Sequence, residues 1–207
     1  MKPIEKAMTI TYPVRTGLYI NLTNKCPCAC TFCLRQNGSG AYGSDPLWLE
    51  HEPSVEEVIE SLKSRDMSQF TEIVFCGYGE PTERLPELLE VAAYIKEHIK
   101  LPVRINTNGL GNLIWKRDIA PELEGLIDTL SISLNATTPE QYLALTRSKF
   151  GIESFQAMLD FAKEAKHYVP NVVMTVVDQV TSKEEQEVSR QICDEIGVTL
   201  RIRPLES

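Results

Sequence analysis

The chain has little of what membrane spans, export signals and histidine-rich metal sites require. Its 207 residues contain no apolar run near the roughly 18 residues that a spanning helix needs. Residues 1–7 lack the apolar stretch of an export signal, so we expect a cytoplasmic protein without a membrane anchor. Histidine occurs only three times, which disfavours a site built from several histidines.

Positive charge is also scarce. Lysine and arginine together number 21, against 29 aspartates and glutamates, which gives a formal net charge of −8. Nucleic acids and anionic lipids are bound through clustered cations, so a general binder of either is disfavoured. The 43% of hydrophobic residues is ordinary for a globular domain.

Cysteine, by contrast, is concentrated in one place. Four of the six cysteines fall within eight residues, namely Cys26, Cys28, Cys30 and Cys33, while Cys76 and Cys193 stand apart. Because the chain shows no export signal, this cluster indicates a metal or catalytic site before it indicates disulfides.

Short β-branched segments alternate with helical patterns along the chain. Strands are predicted at 18–22, 72–76, 103–107, 129–134, 172–177 and 199–203, and 4–14 adds a candidate edge strand. Helices are predicted from Ser54, with Glu57 completing a capping box, over 88–99, from Thr138 with Pro139 at its first position, over 151–168, and over 182–196 before Gly197.

This alternation predicts an α/β fold with a parallel sheet covered by helices. A complete eight-unit barrel takes about 250 residues. We therefore predict a partial (βα)6 TIM-like barrel, or an open parallel sheet, that forms a single domain over residues 1–207.

The longest gap lies between the first predicted strand and its helix. It begins with glycines and later carries Leu47, Trp48 and Leu49. Long loops in compact domains are often functional, so residues 36–52 are predicted to form a lid or a partner-docking loop. The alternative is that Trp48 packs into the core of this domain, and the sequence leaves both open.

Cys26, Cys30 and Cys33 have the spacing C-x-x-x-C-x-x-C directly after a predicted strand. That edge of a parallel sheet is where sites form. Three thiolates can hold an iron–sulfur cube with one iron left open, since all-cysteine ligation uses four. The alternatives are a zinc site with Cys28 as fourth ligand, which lacks the usual distant second pair, and a reactive Cys30–Cys33 dithiol.

This spacing, with Phe32 before the last cysteine and a strand before the first, resembles the radical SAM superfamily. The resemblance implies a [4Fe–4S] cluster on Cys26, Cys30 and Cys33, with S-adenosylmethionine on the fourth iron. It further implies reductive cleavage to methionine and a 5′-deoxyadenosyl radical. If Cys28 also ligated, the fourth iron would close, so we expect Cys28 to be turned away, as a buried thiol or an exposed one near the cluster.

Later strand ends support the resemblance. Residues 77–81 read Gly-Tyr-Gly-Glu-Pro, similar to the family's Gly-Gly-Glu type motif, which receives the methionyl amino group. The resemblance therefore assigns S-adenosylmethionine contacts to Gly77, Tyr78, Gly79 and Glu80. Without it, Glu80 would be interpreted as a solvated residue at the start of a helix.

The next two strands carry polar rows. Asn106 and Asn108 lie in a Thr-Asn-Gly ending similar to the family's third strand. Strand alternation puts Ser131, Ser133 and Asn135 on one face, which we expect to look into the barrel. The resemblance implies that Ser131, Ser133 and Asn135 contact the ribose hydroxyls or the methionyl carboxylate of S-adenosylmethionine.

Arg147 follows the next predicted helix. It could pair with the methionyl carboxylate, or it could be an exposed arginine at a helix end.

The sequence thus favours an enzyme that removes hydrogen from a small molecule or a partner protein. The chain ends right after the sixth predicted strand, so we expect no added substrate domain. An electron donor such as flavodoxin or ferredoxin is implied. The length and segments such as C-G-Y-G-E-P-T-E-R are most similar to small radical SAM proteins that accompany TatD-type hydrolases, which makes such a hydrolase a candidate partner. The alternative is a non-enzymatic zinc or iron–sulfur accessory module.

Overall fold

Seven strands form one sheet in their order along the chain. The computed structural model describes residues 4–36, 38 and 40–204. The strands are β1 (Thr11–Val14), β2 (Gly17–Ile20), β3 (Glu72–Phe75), β4 (Val103–Thr107), β5 (Thr129–Ser133), β6 (Asn171–Val177) and β7 (Thr199–Arg203). The pair β1–β2 is antiparallel and every other neighbouring pair is parallel. Since β1 and β7 form its two edges, the described sheet is open.

Helices follow the parallel strands. They are α1 (Val55–Lys63), α2 (Leu85–Tyr94), α3 (Gly111–Trp115), α4 (Pro139–Thr146), α5 (Glu153–Ala165) and α6 (Lys183–Ile196), and a π-helical turn, Ile95–Ile99, continues α2. In the described part of the chain, no helix has the length and apolarity to cross a membrane.

The predicted architecture is confirmed, with differences at strand ends. All six predicted parallel strands are present, and 103–107 and 199–203 have the predicted bounds. The candidate edge strand over 4–14 is shorter, at Thr11–Val14, and it pairs with β2 across a tight turn in which Arg15 adopts φ 53°. The short helix α3 was not predicted.

The predicted helix caps are also present. The Ser54 hydroxyl accepts a hydrogen bond from the backbone N–H of Glu57, and the Glu57 carboxylate accepts one from the backbone N–H of Ser54. Thr138 caps α4 ahead of Pro139, and Gly197 ends α6 in the left-handed region at φ 82°. Local side-chain chemistry therefore sets where these helices begin and end.

The two faces of the sheet differ in chemistry. Ile73, Ile105, Ile132 and Met174 are fully buried and belong to the main apolar cluster, which also contains helix residues such as Phe161. The alternate residues of the strands include polar side chains on the concave face. Alternation thus builds an apolar core on one side of the sheet and a polar cavity on the other.

The apolar tip of the 36–52 segment is covered by this domain. Leu47 and Leu49 are 1% and 0% exposed, and the half-buried Trp48 meets the ring of Tyr78 edge-on with centroids 5.3 Å apart. The Nδ2 of Asn21 donates to the Leu47 carbonyl at 2.8 Å. The tip therefore packs within this domain, as the alternative prediction had it, and no docking partner is needed to cover it. Positions 37 and 39 lie outside the described residues.

Candidate active site

A cavity of about 290 Å³ opens on the concave face, at the carboxyl ends of the parallel strands. The loop after β2, the loop after β3, and the ends of β4 and β5 each contribute to its wall. The predicted site residues in this wall are Cys26, Cys30, Phe32, Cys33, Gly77, Tyr78, Gly79, Glu80, Asn106, Asn108, Ser131, Ser133 and Asn135. Arg147 is the predicted site residue that the wall does not include.

All four clustered cysteines line the cavity. Hydrogen bonding with the buried Cys28 thiol lowers the pKa of Cys26 and the pKa of Cys30, and the same contacts raise the pKa of Cys28. The Cys28 thiol thus lies within hydrogen-bonding reach of both neighbouring sulfurs. The Cys33 Sγ accepts a hydrogen bond from the Arg35 Nε at 3.4 Å.

The structure shows Cys28 as a buried thiol, one of the two forms expected for it, and its absence from the ligand set stays a prediction. It lies beside Cys26 and Cys30. The three cysteines alternate along an irregular loop, and residues two apart in extended chain point to the same side. Within the described residues, no three Cys, His, Asp or Glu side chains already form a metal-binding group.

The Gly-Tyr-Gly-Glu loop lies against the cysteine loop. A Cβ at Gly77 would collide with the Asn21 side chain, and one at Gly79 would collide with the Thr23 carbonyl. The backbone N–H of Glu80 donates to the Lys25 carbonyl at 2.8 Å. Glycine is needed at both positions because the two backbones approach so closely.

Glu80 is buried, at 4% exposure, so its interpretation as a solvated residue is wrong. Its Oε1 accepts from the Thr82 backbone N–H and from the hydroxyls of Thr82 and Thr107, at 2.6–3.1 Å. Its Oε2 accepts from the Asn108 N–H at 2.8 Å. Burial raises the pKa of Glu80, and these bonds oppose that rise. No described lysine, arginine or histidine forms an ion pair with Glu80.

Asn108 connects the end of β4 to the cysteine loop. Its Nδ2 lies 3.8 Å from the Cys28 Sγ and 4.0 Å from the Cys26 Sγ. Its Oδ1 accepts from the Leu110 N–H at 2.9 Å, which fixes the amide. The Oδ1 of Asn106, two residues earlier on β4, accepts a hydrogen bond from the Arg104 Nη1 at 2.8 Å.

Three buried polar atoms of the described residues lack a partner: the Asn21 Oδ1, which lies against Gly77, the Asn135 Oδ1 and the Tyr142 hydroxyl. Asn135 adopts φ 60° and is 5% exposed, and its Oδ1 has no hydrogen bond in the described structure. The hydroxyl of Tyr142, on α4, is likewise unpaired, and burial raises the pKa of Tyr142. Because buried acceptors are normally satisfied, Asn135 fits a hydroxyl or N–H of a bound ligand.

Arg147 does not reach the site. It ends α4 in the left-handed region at φ 48°, it is exposed, and its N–H bonds back to the Leu143 carbonyl. Its expected pairing with a methionyl carboxylate is therefore not supported, and it is the exposed helix-end arginine of the alternative.

Several cavity residues were missed by the sequence reasoning. They include basic and aromatic residues: Tyr12, Arg15, Tyr19, Arg35, Tyr42, Arg104, Arg201 and Arg203. The signal for the last two was available, because Arg201 and Arg203 alternate along the last predicted strand.

The Radical SAM superfamily model matches residues 20–192. The chain belongs to the radical SAM superfamily. The predicted cofactors, a [4Fe–4S] cluster and S-adenosylmethionine, are those that this superfamily uses, and the predicted enzyme class is that of the family.

The curated relatives are not named as members of the predicted TatD-associated subgroup. The chain is 26% identical over 194 residues to a probable GTP 3′,8-cyclase of Thermococcus kodakarensis, covering 93% of this chain and 57% of that protein. It is 31% identical over 153 residues to one of Methanosarcina acetivorans, covering 72% and 42%. The chain thus spans about half the length of these relatives, and the TatD-associated subgroup stays a prediction.

Solved structures support the fold. Streptococcus suis SuiB bound to precursor peptide SuiA has a TM-score of 0.67 at 17% identity, covering 92% of this chain and 39% of that one. SuiB bound to S-adenosylmethionine has a TM-score of 0.63 at 15% identity, covering 91% and 38%. At these identities the likeness confirms the α/β partial barrel and nothing about the substrate.

Proposed function

We propose that this chain is the catalytic core of a radical SAM enzyme in which Cys26, Cys30 and Cys33 hold the cluster. When bound, the cluster supplies the electron that cleaves S-adenosylmethionine to methionine and a 5′-deoxyadenosyl radical, which removes hydrogen from a substrate. The observation that carries the proposal is the cavity itself. It brings the cysteine loop together with three strand ends whose residues were predicted separately.

Glu80 is proposed to receive the methionyl ammonium group. Its carboxylate lines the cavity, lacks a described cationic partner, and uses Oε2 for a single bond, from Asn108. A carboxylate oxygen has room for a further donor. A charge-assisted bond of this kind contributes roughly 1.5–3 kcal/mol.

Asn135 is proposed to accept a hydrogen bond from a ribose hydroxyl. Its buried Oδ1 has no described partner and its side chain lines the cavity. Ser131 and Ser133 lie on the same face and offer hydroxyls that both donate and accept. Together they can orient the nucleoside part of the cofactor.

The 36–52 segment is proposed to act as a wall that keeps water from the reacting groups. Ala41, Tyr42 and Leu47 line the cavity, and the Tyr78 hydroxyl donates to the Gly38 carbonyl at 3.0 Å. A radical intermediate needs such exclusion of water and side reactions.

The substrate class is proposed as a small molecule or a partner protein, and the electron donor as a flavodoxin or ferredoxin. The curated relatives are named for a cyclisation of GTP, but this chain matches about half of their length, so that substrate is not carried over. A TatD-type hydrolase remains a candidate partner on the sequence segments alone.

Anaerobic reconstitution with iron and sulfide tests the proposal. We expect a broad visible absorption band that dithionite bleaches, and 5′-deoxyadenosine on addition of S-adenosylmethionine and reductant. A colourless protein that binds one zinc ion would instead support the accessory-module alternative.

Cysteine variants test the ligand set. Cys26→Ala, Cys30→Ala and Cys33→Ala should each lose the band and the product, since two thiolates hold a cube poorly. Cys28→Ala should retain both, and Cys193→Ala, on α6 outside the cavity, is the control. A Cys28→Ala protein that loses its iron while another of the three keeps it would show that the triad is wrong.

A further inference from the structure

The cavity has a basic side opposite the cysteine loop. We propose that the substrate carries a phosphate group and that Arg201 and Arg203, on β7, bind this phosphate. The inference rests on the proposed function, because it names the substrate class of the same cavity.

The two arginines share the concave face. They are two residues apart on one strand, so their side chains lie on the same side. In the sheet register, Arg201 pairs with Thr175 and Arg203 pairs with Val177 on β6. All four of these residues line the cavity, which places both guanidinium groups along its wall.

The cavity wall is strongly basic although the chain is acidic. Its arginines are Arg15, Arg35, Arg104, Arg201 and Arg203, and its single carboxylate is Glu80. The chain as a whole has a net charge of −8. A basic cavity wall in a chain of negative net charge is explained if the cavity binds an anion.

The other three arginines are already engaged. Arg104 is ion-paired with Glu72, and Arg35 donates to the Cys33 sulfur and to the Cys28 carbonyl. Arg15 has an interaction of its own. Their charges are therefore at least partly committed to the protein.

Arg201 and Arg203 differ in this respect. Among the residues that the structure describes, neither side chain has an ion pair or a hydrogen bond. An anion in the cavity would supply the missing acceptor. The unpaired Asn135 Oδ1, in the same wall, independently indicates that this cavity takes a polar ligand.

The donor set favours phosphate over carboxylate. One guanidinium can satisfy a carboxylate through a bidentate pair. Two guanidiniums two residues apart, with the Ser133 hydroxyl in the same wall, offer more donors than one carboxylate can accept. A phosphate has additional oxygens, which can accept hydrogen bonds from the remaining donors.

The position also suits the proposed chemistry. The cysteine loop follows β2, whereas the arginines lie on β7, five strands further along the sheet. A substrate anchored on β7 by its phosphate would extend across the cavity toward the cysteine loop. Its reacting carbon would then lie near the cofactor.

Binding of inorganic pyrophosphate to the reconstituted protein tests the inference. With S-adenosylmethionine bound, we expect calorimetric binding of pyrophosphate, and Arg201→Gln and Arg203→Gln should each raise the Kd by about tenfold or more, the effect of one charge-assisted bond. Arg190→Gln is the matched control, because Arg190 is an exposed α6 arginine outside the cavity. Its Kd should equal that of the wild type.

Three results would overturn the inference. The first is the absence of pyrophosphate binding, or binding that the two variants leave unchanged. The second is malonate binding as tight as that of pyrophosphate, which would indicate a carboxylate site. The third is a weakening of S-adenosylmethionine binding in both variants with pyrophosphate binding intact, which would assign these arginines to the methionyl carboxylate. If pyrophosphate binds through both arginines but no 5′-deoxyadenosine forms, the phosphate subsite stands and the proposed function fails.

Discussion

Replacing Glu80 with alanine removes the carboxylate that ties the loop after β3 to the end of β4. Four hydrogen bonds are lost, from the Thr82 N–H, the Thr82 and Thr107 hydroxyls, and the Asn108 N–H. At a net value of about 1 kcal/mol each, they stabilise the fold by about 4 kcal/mol. Burial of the carboxylate, which raises the pKa of Glu80, offsets part of this.

We therefore expect Glu80→Ala to lower the free energy of unfolding by about 3 kcal/mol. For a domain of this size, that corresponds to a fall in Tm of roughly 6–12 °C. Urea unfolding of the protein without cofactors, followed by circular dichroism, measures the effect. Glu90→Ala, on the exposed side of α2, is the control and should change stability by less than about 0.5 kcal/mol.

Glu80→Gln separates the structural role from cofactor binding. The amide keeps one oxygen as acceptor, so the loss of stability should be smaller than in Glu80→Ala. Because the negative charge is gone, S-adenosylmethionine should bind more weakly by about one to two decades in both variants. Cofactor affinity that is unchanged in Glu80→Gln would refute the assigned role of Glu80, and an unfolding midpoint unchanged in Glu80→Ala would refute the structural one.

Four further substitutions test the site and the elements around it, and urea unfolding measures the stability of each variant. Gly79→Ala should destabilise strongly and block cluster reconstitution, because its Cβ collides with the Thr23 carbonyl, whereas Gly17→Ala should cost less because its Cβ meets flexible side chains. Ser182→Ala removes the α6 N-cap and should cost about 1 kcal/mol without changing the cluster spectrum. Tyr142→Phe should leave stability unchanged or raise it by about 1 kcal/mol, since its buried hydroxyl has no described partner, and a clear loss would contradict this.

Elements that depend on local chemistry could be predicted from the sequence. The bounds of β4 and β7, the capping box at Ser54 and the left-handed Gly197 all follow from side-chain types at fixed spacings. The helix α3 could not, because its five residues have no side-chain cap and are too short for a helical period to show.

Side-chain directions outside regular elements were harder to predict. Ser131 and Ser133 line the cavity as expected, since strand alternation fixes a face, and Asn135, beyond the end of β5 at φ 60°, lines it as well. Cys28 lies in an irregular loop and Arg147 follows a helix end, where no period applies. Their directions depend on tertiary contacts, so the pairing considered for Arg147 is not supported and the role of Cys28 stays a prediction.

Hydrogen bonds from neighbouring segments hold the cysteine loop in place. The N–H groups of Ala29 and Thr31 donate to the carbonyls of Thr146 and Leu145 at the end of α4, and the Lys149 N–H donates to Pro27. These bonds satisfy helix-end carbonyls that would otherwise need water or a cap.

The same contacts explain why α4 ends beside the cysteines and why Arg147 points away. The last carbonyls of α4 face the cysteine loop, so the chain leaves the helix in the left-handed region and carries Arg147 toward solvent. On the other side, the Glu80 N–H holds the Lys25 carbonyl, and Asn24 exchanges hydrogen bonds with Leu49. A loop whose backbone is bonded from three directions has little conformational freedom left to lose, and this reduces the entropy cost of binding a ligand to its side chains.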